Sequence, residues 1–127
     1  MKKKIKVNYT KFPTFEEFVN QKSIENLYDF GGVNLRRRVF ISGYNIVVLY
    51  EALVKKGYNT YNYEYADKEE FPLTTIGYLN MQMYIHRWEL SEKCLLEQVT
   101  PDVIQETYKL FDEYKEKVKA LEVKHEW

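Results

Sequence analysis

Cysteine is almost missing from this chain. Cys94 is the single one among 127 residues, so an internal disulfide is excluded. Only His86 and His125 could join it, which is too few for the Cys/His cluster of a structural zinc site. A lone unpaired thiol fits a reducing compartment, and the expected location is cytoplasmic. Long apolar runs are missing too. The longest, Ile46 to Tyr50, falls far short of the ~20 residues that cross a bilayer. The basic start, Met1 to Lys6, leads into Val7-Asn8-Tyr9-Thr10-Lys11 rather than an apolar stretch. Neither a secretory leader nor membrane insertion is expected. The five glycines, at 31, 32, 43, 57 and 77, build neither a G-x-G-x-x-G nor a P-loop, so no nucleotide site is indicated.

What is present suits a folded protein. Apolar residues make up 45% of the chain and are spread along it, which disfavours disorder. The length fits one domain, taken as residues 1–127. A chain of this size buries roughly two-thirds of the surface its unfolded form exposes, enough to hold a core without metal or disulfide. No cofactor is expected.

Twelve tyrosines stand out. Each is a large apolar ring with a polar tip, suited to half-buried faces and interfaces; the plainer explanation is A·T-rich coding bias. The net charge is zero but divided. Residues 1–60 carry 11 Lys/Arg against 5 Asp/Glu, and residues 61–127 carry 8 against 14. Such a split either serves partners of opposite charge or pairs the halves with each other.

Periodicity gives the elements. Lys4 to Tyr9 alternates like a half-buried strand. Thr14 and Glu17 have capping-box spacing at the start of a helix carrying Phe15, Phe18 and Val19, with Leu27 a possible extension. Gly31-Gly32 breaks the chain. Leu35 to Ile41 reads as a strand. Ser42 then caps a helix with Ile46, Val47, Tyr50, Leu53 and Val54 on one stripe, closed by Gly57 as a left-handed cap. Tyr61, Tyr63 and Tyr65 alternate along a further strand, followed by an acidic loop from Ala66 to Pro72. Leu79 to His86 alternates cleanly and predicts a strand, although its Met, Gln and Leu favour helix and Thr74-Thr75 could cap one. Ser91 heads a short helix through Val99. Thr100-Pro101-Asp102 starts a long one, to about Val123, with Ile104, Phe111, Val118 and Leu121 inward. The fold class is therefore α+β: a small, largely antiparallel sheet of three to four strands covered by three to four helices, the last of them long. An all-α bundle is the alternative.

Little of this carries chemistry. Cys94 with His86 and Glu89 is the only set that could form a nucleophile, a base and an orienting acid, and nothing local supports it. His86 more often would be a satisfied structural residue. Glu64, Asp67, Glu69 and Glu70 cluster, but without the glycine a calcium loop needs. No catalytic or metal-binding residue is assigned.

Two surfaces remain. Tyr61, Tyr63 and Tyr65 share one face of a strand and are the candidate partner-binding residues. Lys2, Lys3, Lys4 and Lys6, with Arg36, Arg37 and Arg38, form the basic clusters a nucleic-acid binder would use. Consecutive arginines on a strand point to both faces, however, and a pI near 6.7 is low for that class. The first expectation is a small non-enzymatic protein-interaction module, such as an accessory or inhibitor protein of a phage or mobile element. A nucleic-acid-binding protein using the basic half comes second, and an enzyme with scattered site residues third. A protein partner is expected, and self-association is possible.

Overall fold

The computed structural model describes residues 9–30, 33–95 and 100–125. It is an α+β fold. Helix α1 (Phe15–Gln21) precedes four strands, β1 (Ser23–Phe30), β2 (Val33–Ser42), β3 (Asn45–Gly57) and β4 (Thr60–Pro72). Two long helices follow, α2 (Thr75–Leu95) and α3 (Pro101–His125). The chain divides into two compact units, one of residues 13–78 and one of residues 1–12 with 79–127. Residues 4–8 of the strand expected over Lys4 to Tyr9, the Gly31-Gly32 break and the last residues of the Ser91 helix lie outside the described residues.

In the unit of residues 13–78, the strands form an antiparallel sheet in the order β1-β2-β3-β4. Short turns join β2 to β3 and β3 to β4. Gly43 opens the β2–β3 turn at φ +60°, a conformation that glycine reaches without steric cost, as the first position of a II′ hairpin turn requires. Asn59 closes the β3–β4 turn at φ 61°, the left-handed state that asparagine tolerates best among residues with a Cβ. The capping box at Thr14 is present in both directions: Glu17 N–H donates to Thr14 Oγ1, and the Thr14 N–H donates to Glu17 Oε1. Lys22, at φ 69°, then ends α1 by donating its N–H to Phe18 O.

One face of the sheet is the core. Leu35, Arg37 and Val39 of β2 lie opposite Ala52, Tyr50 and Val48 of β3, and all but Ala52 are buried. In the same unit Phe18 is fully buried and stacks on Tyr78 with ring centres 5.1 Å apart. The Tyr78 hydroxyl donates to Pro13 O at 2.6 Å. Gly77 is also needed for space: a Cβ there would sit 1.9 Å from Pro72 O.

Three sequence expectations are corrected here. The helix proposed from Ser42 to Gly57 is strand β3. Its stripe fitted a helix because Ile46, Val47 and Val48 are all buried, and a strand covered on both faces reads as a continuous apolar run without alternation. The β-branched Ile-Val-Val sequence then favours extended backbone. Leu27 belongs to β1, not to an extension of α1, and is exposed. The acidic segment from Ala66 to Pro72 continues β4 rather than forming a loop. Its charged run, Asp67 to Glu70, lies on an outer strand among the described residues, where Lys68, Glu69 and Glu70 are exposed.

In the other unit, Leu79 to His86 is helix, not strand. Met81, Gln82, Met83, Ile85 and His86 are all buried, so burial spreads around α2 and leaves no single 3.6-period stripe. Helix propensity and the cap decide instead: Thr74 Oγ1 accepts from Gly77 N–H, and Thr74 O from Tyr78 N–H. Ser91 accordingly lies inside α2 rather than capping a new helix. Helix α3 starts as expected at Pro101, with Thr100 accepting from Val103 and Ile104. Its buried residues are Val103, Thr107 and Phe111, while Ile104 is 36% exposed. The inward stripe thus begins one position earlier than expected, and Val118 and Leu121 are only half-buried.

Candidate partner-binding face

The second face of the sheet is covered at Val47 but open beyond it, toward the β3–β4 turn. Cross-strand pairing sets Leu27, Arg36, Glu51 and Tyr65 in one row across the four strands. Leu53 lies opposite Tyr63, and Lys55 opposite Tyr61, on the same face. Alternation alone therefore aligns the three tyrosine rings, and the twist of the sheet does not bury them. Tyr61 is 54% exposed, Tyr63 37% and Tyr65 68%.

Arginine supports these rings. The Arg36 guanidinium carbon lies 3.7 Å from the centre of the Tyr63 ring, well within cation–π range. One carboxylate holds both exposed-face arginines. Glu51 Oε1 is 3.0 Å from Arg36 Nη2 and 2.9 Å from Arg38 Nη2, and both Nε groups donate to it as well. Lys68 and Glu70 pair further along β4 on the same face. The face is thus aromatic and cationic with its charges largely matched.

Arg37 does not belong to this face. Its side chain is buried among the core residues and donates from Nη2 to Asn26 Oδ1 at 3.0 Å. The three arginines read as one basic cluster are therefore split, two on the open face and one beneath the sheet. Lys2, Lys3, Lys4 and Lys6 lie outside the described residues.

The residues with catalytic potential gather in the other unit, as a buried network. His86 Nδ1–H donates to Glu89 Oε1 at 2.8 Å, and its Nε2 lies 3.0 Å from Tyr114 Oη. The Tyr114 hydroxyl donates to Gln82 Oε1 at 2.8 Å. Thr10 donates its N–H and hydroxyl to Glu89 Oε2. Tyr9 bonds Thr107, and its ring meets His86 edge-on at 4.9 Å. Burial holds the Tyr114 hydroxyl above its usual range, with the charges of Glu89 and then Glu113 adding to the effect. His86 is only 2% exposed, and both its nitrogens have partners within the fold. These contacts tie α2 to α3 within this unit. The Cys94 side chain lies outside the described residues. Among the described residues no group of three His, Cys, Asp or Glu is placed to hold a metal ion. No described helix is long and apolar enough to cross a membrane.

Sequence reasoning paired His86 with Glu89 as a possibility but missed Gln82, Thr107 and Tyr114, because nothing marks the registry of α2 against α3. It also missed Glu51 as the shared partner of two arginines. The signal for Glu51 would have been the hairpin turn at Gly43, which fixes the opposition of Arg36 and Glu51 once β3 is read as a strand.

Comparison with known protein families, curated proteins and solved structures finds no match for this chain.

Proposed function

We propose that this chain is a small non-enzymatic protein-interaction module that acts in the cytoplasm through the open face of its sheet. Tyr61, Tyr63 and Tyr65 anchor the partner, and Arg36 and Arg38 flank them. One observation carries the reading: three aromatic rings stand side by side in solvent on a regular scaffold, with an arginine stacked on the central one. Tyrosine and arginine are the residues over-represented at interface hot spots, where a few buried anchors supply most of the affinity. A rigid sheet presents them at little entropic cost. Small size and the lack of a catalytic motif suit an accessory or inhibitor protein of a phage or mobile element. The nucleic-acid alternative draws less support, since Arg37 is buried and Arg36 and Arg38 share Glu51.

The test is affinity capture from cells that naturally express the protein, comparing wild type with Tyr61→Ala/Tyr63→Ala/Tyr65→Ala. A specific partner should be retained by wild type and lost with the triple variant. Loss of hot-spot anchors weakens binding by roughly thirtyfold or more. Equal recovery of the same proteins by both would sink the proposal.

A further inference from the structure

We infer that the partner of this surface is a second copy of the chain, joined edge to edge through Thr60–Tyr65 of β4, an inference that rests on the interaction reading above. Among the described residues β4 is an outer strand of the sheet. All residues from Thr60 to Ala66 except the half-buried Glu64 are exposed. An outer strand offers a row of backbone donors and acceptors to another strand, and natural edges are usually blunted with charge. The two halves of β4 differ in this respect. Residues 67–70 read Asp-Lys-Glu-Glu, whereas residues 60–66 read Thr-Tyr-Asn-Tyr-Glu-Tyr-Ala, with one charge.

Self-pairing of identical antiparallel strands about a two-fold axis is restricted to a few registers. Directly opposite residues must share a face. Opposite Tyr50 and Glu51 the register shifts from Asp67 to Tyr65, so Ala66 is the extra residue of a bulge and the alternation reverses there. Laying the first half of β4 on the second in the two same-face registers of greatest overlap opposes Glu64 to Asp67 or to Glu69. Centring on any of Asp67, Lys68, Glu69 or Glu70 opposes that charge to its own copy, and centring on Glu64 does the same. Like charges directly opposite are destabilising.

The register centred on Tyr63 avoids every such clash. It opposes Tyr63 to Tyr63 of the second copy, Tyr61 to Tyr65, and Asn62 to Glu64. Centring on Asn62 or Tyr61 also avoids them but shortens the overlap, to residues 60–64 or 60–62, and leaves Tyr65 unpaired. Aromatic pairs directly across a ladder are among the stabilising ones. Six tyrosines then line one face of a continuous eight-stranded sheet, in the self-complementary contact that a two-fold dimer requires.

The register can be tested by charge placement at Tyr61 and Tyr65, which it sets opposite each other, using sedimentation equilibrium of the full chain. Wild type should dimerise with a dissociation constant of roughly 10–100 µM, at the weak end of specific interfaces. Tyr61→Glu/Tyr65→Glu opposes like charges twice and should weaken the dimer at least about tenfold. Tyr61→Glu/Tyr65→Lys opposes unlike charges at the same two places and should keep the wild-type affinity or improve it. Its dimerisation also shows that the substituted chain folds. A wild type that stays monomeric to about 1 mM overturns the inference, as do two variants that dimerise equally well. If wild type is monomeric yet captures a different protein through the three tyrosines, only the self-pairing fails and the interaction reading stands.

Discussion

Arg36 and Tyr63 meet across a strand: the guanidinium carbon lies 3.7 Å from the ring centre, though β3 runs between their two strands. The contact reaches over the β3 backbone, which Glu51 makes possible by holding the guanidinium in place. An aromatic ring and a long cation on one face are thereby fixed in a single geometry.

The Glu51 trio and Arg37 should separate cleanly in stability. Glu51→Gln removes a charge shared by two partly exposed arginines, and solvent screens such pairs, so a loss of about 1 kcal/mol is expected. Arg37→Ala empties a buried site and strands Asn26, so about 2–4 kcal/mol is expected. Urea denaturation of both variants checks the order. The reverse order would mean that the open face, not the core face, holds the sheet together.

Helix α3 makes a matched pair of predictions. Phe111 is 7% exposed, and Phe111→Ala should cost about 3–5 kcal/mol. Ile104 is 36% exposed, and Ile104→Ala should cost under about 1 kcal/mol. Thermal or chemical unfolding reads both. Equal costs would mean that α3 presents a different face to its unit.

Tyr114 makes stability depend on alkaline pH. Its folded pKa is raised above the ordinary 10.0 by burial and nearby carboxylates, so the folded chain keeps a proton that the unfolded chain releases. The unfolded state then binds fewer protons, and stability falls as pH rises. The contribution is whole below the unfolded pKa and is lost as pH climbs above it and through the folded value. Tyr114→Phe should flatten that alkaline decline. At neutral pH the same variant should cost about 1–3 kcal/mol, since Gln82 Oε1 and His86 Nε2 each lose a buried partner. Stability measured from pH 7 to 11 on both proteins tests the slope and the offset together.

Nucleic-acid binding should be undetectable near 150 mM salt. Were four or five basic side chains to engage phosphates, affinity would fall with a log–log salt slope of about −3 to −4.5. Fluorescence anisotropy with single-stranded and duplex oligonucleotides measures this. Micromolar binding with that slope, abolished when Arg36, Arg37 and Arg38 are replaced by alanine, would reverse the proposed function.

The parts of this protein that sequence determined by itself are those where one local signal decides. Thr14 with Glu17 caps α1, Thr100-Pro101-Asp102 opens α3, and the alternation of Tyr61, Tyr63 and Tyr65 puts three rings on one face. Each depends only on neighbours within a few residues, so no knowledge of the fold is needed. Tertiary structure decided the rest. Ile46 to Tyr50 could satisfy a helix stripe or a doubly covered strand, and only the pairing partners on both sides of β3 chose the strand. Leu79 to His86 alternated by coincidence, because a helix buried on most of its circumference has no face for periodicity to report. Arg37 was one of three identical residues until the sheet turned it inward to Asn26 and left its neighbours to Glu51. Burial on more than one side erases the pattern that sequence reading depends on, and cross-strand opposition joins residues that lie far apart along the chain.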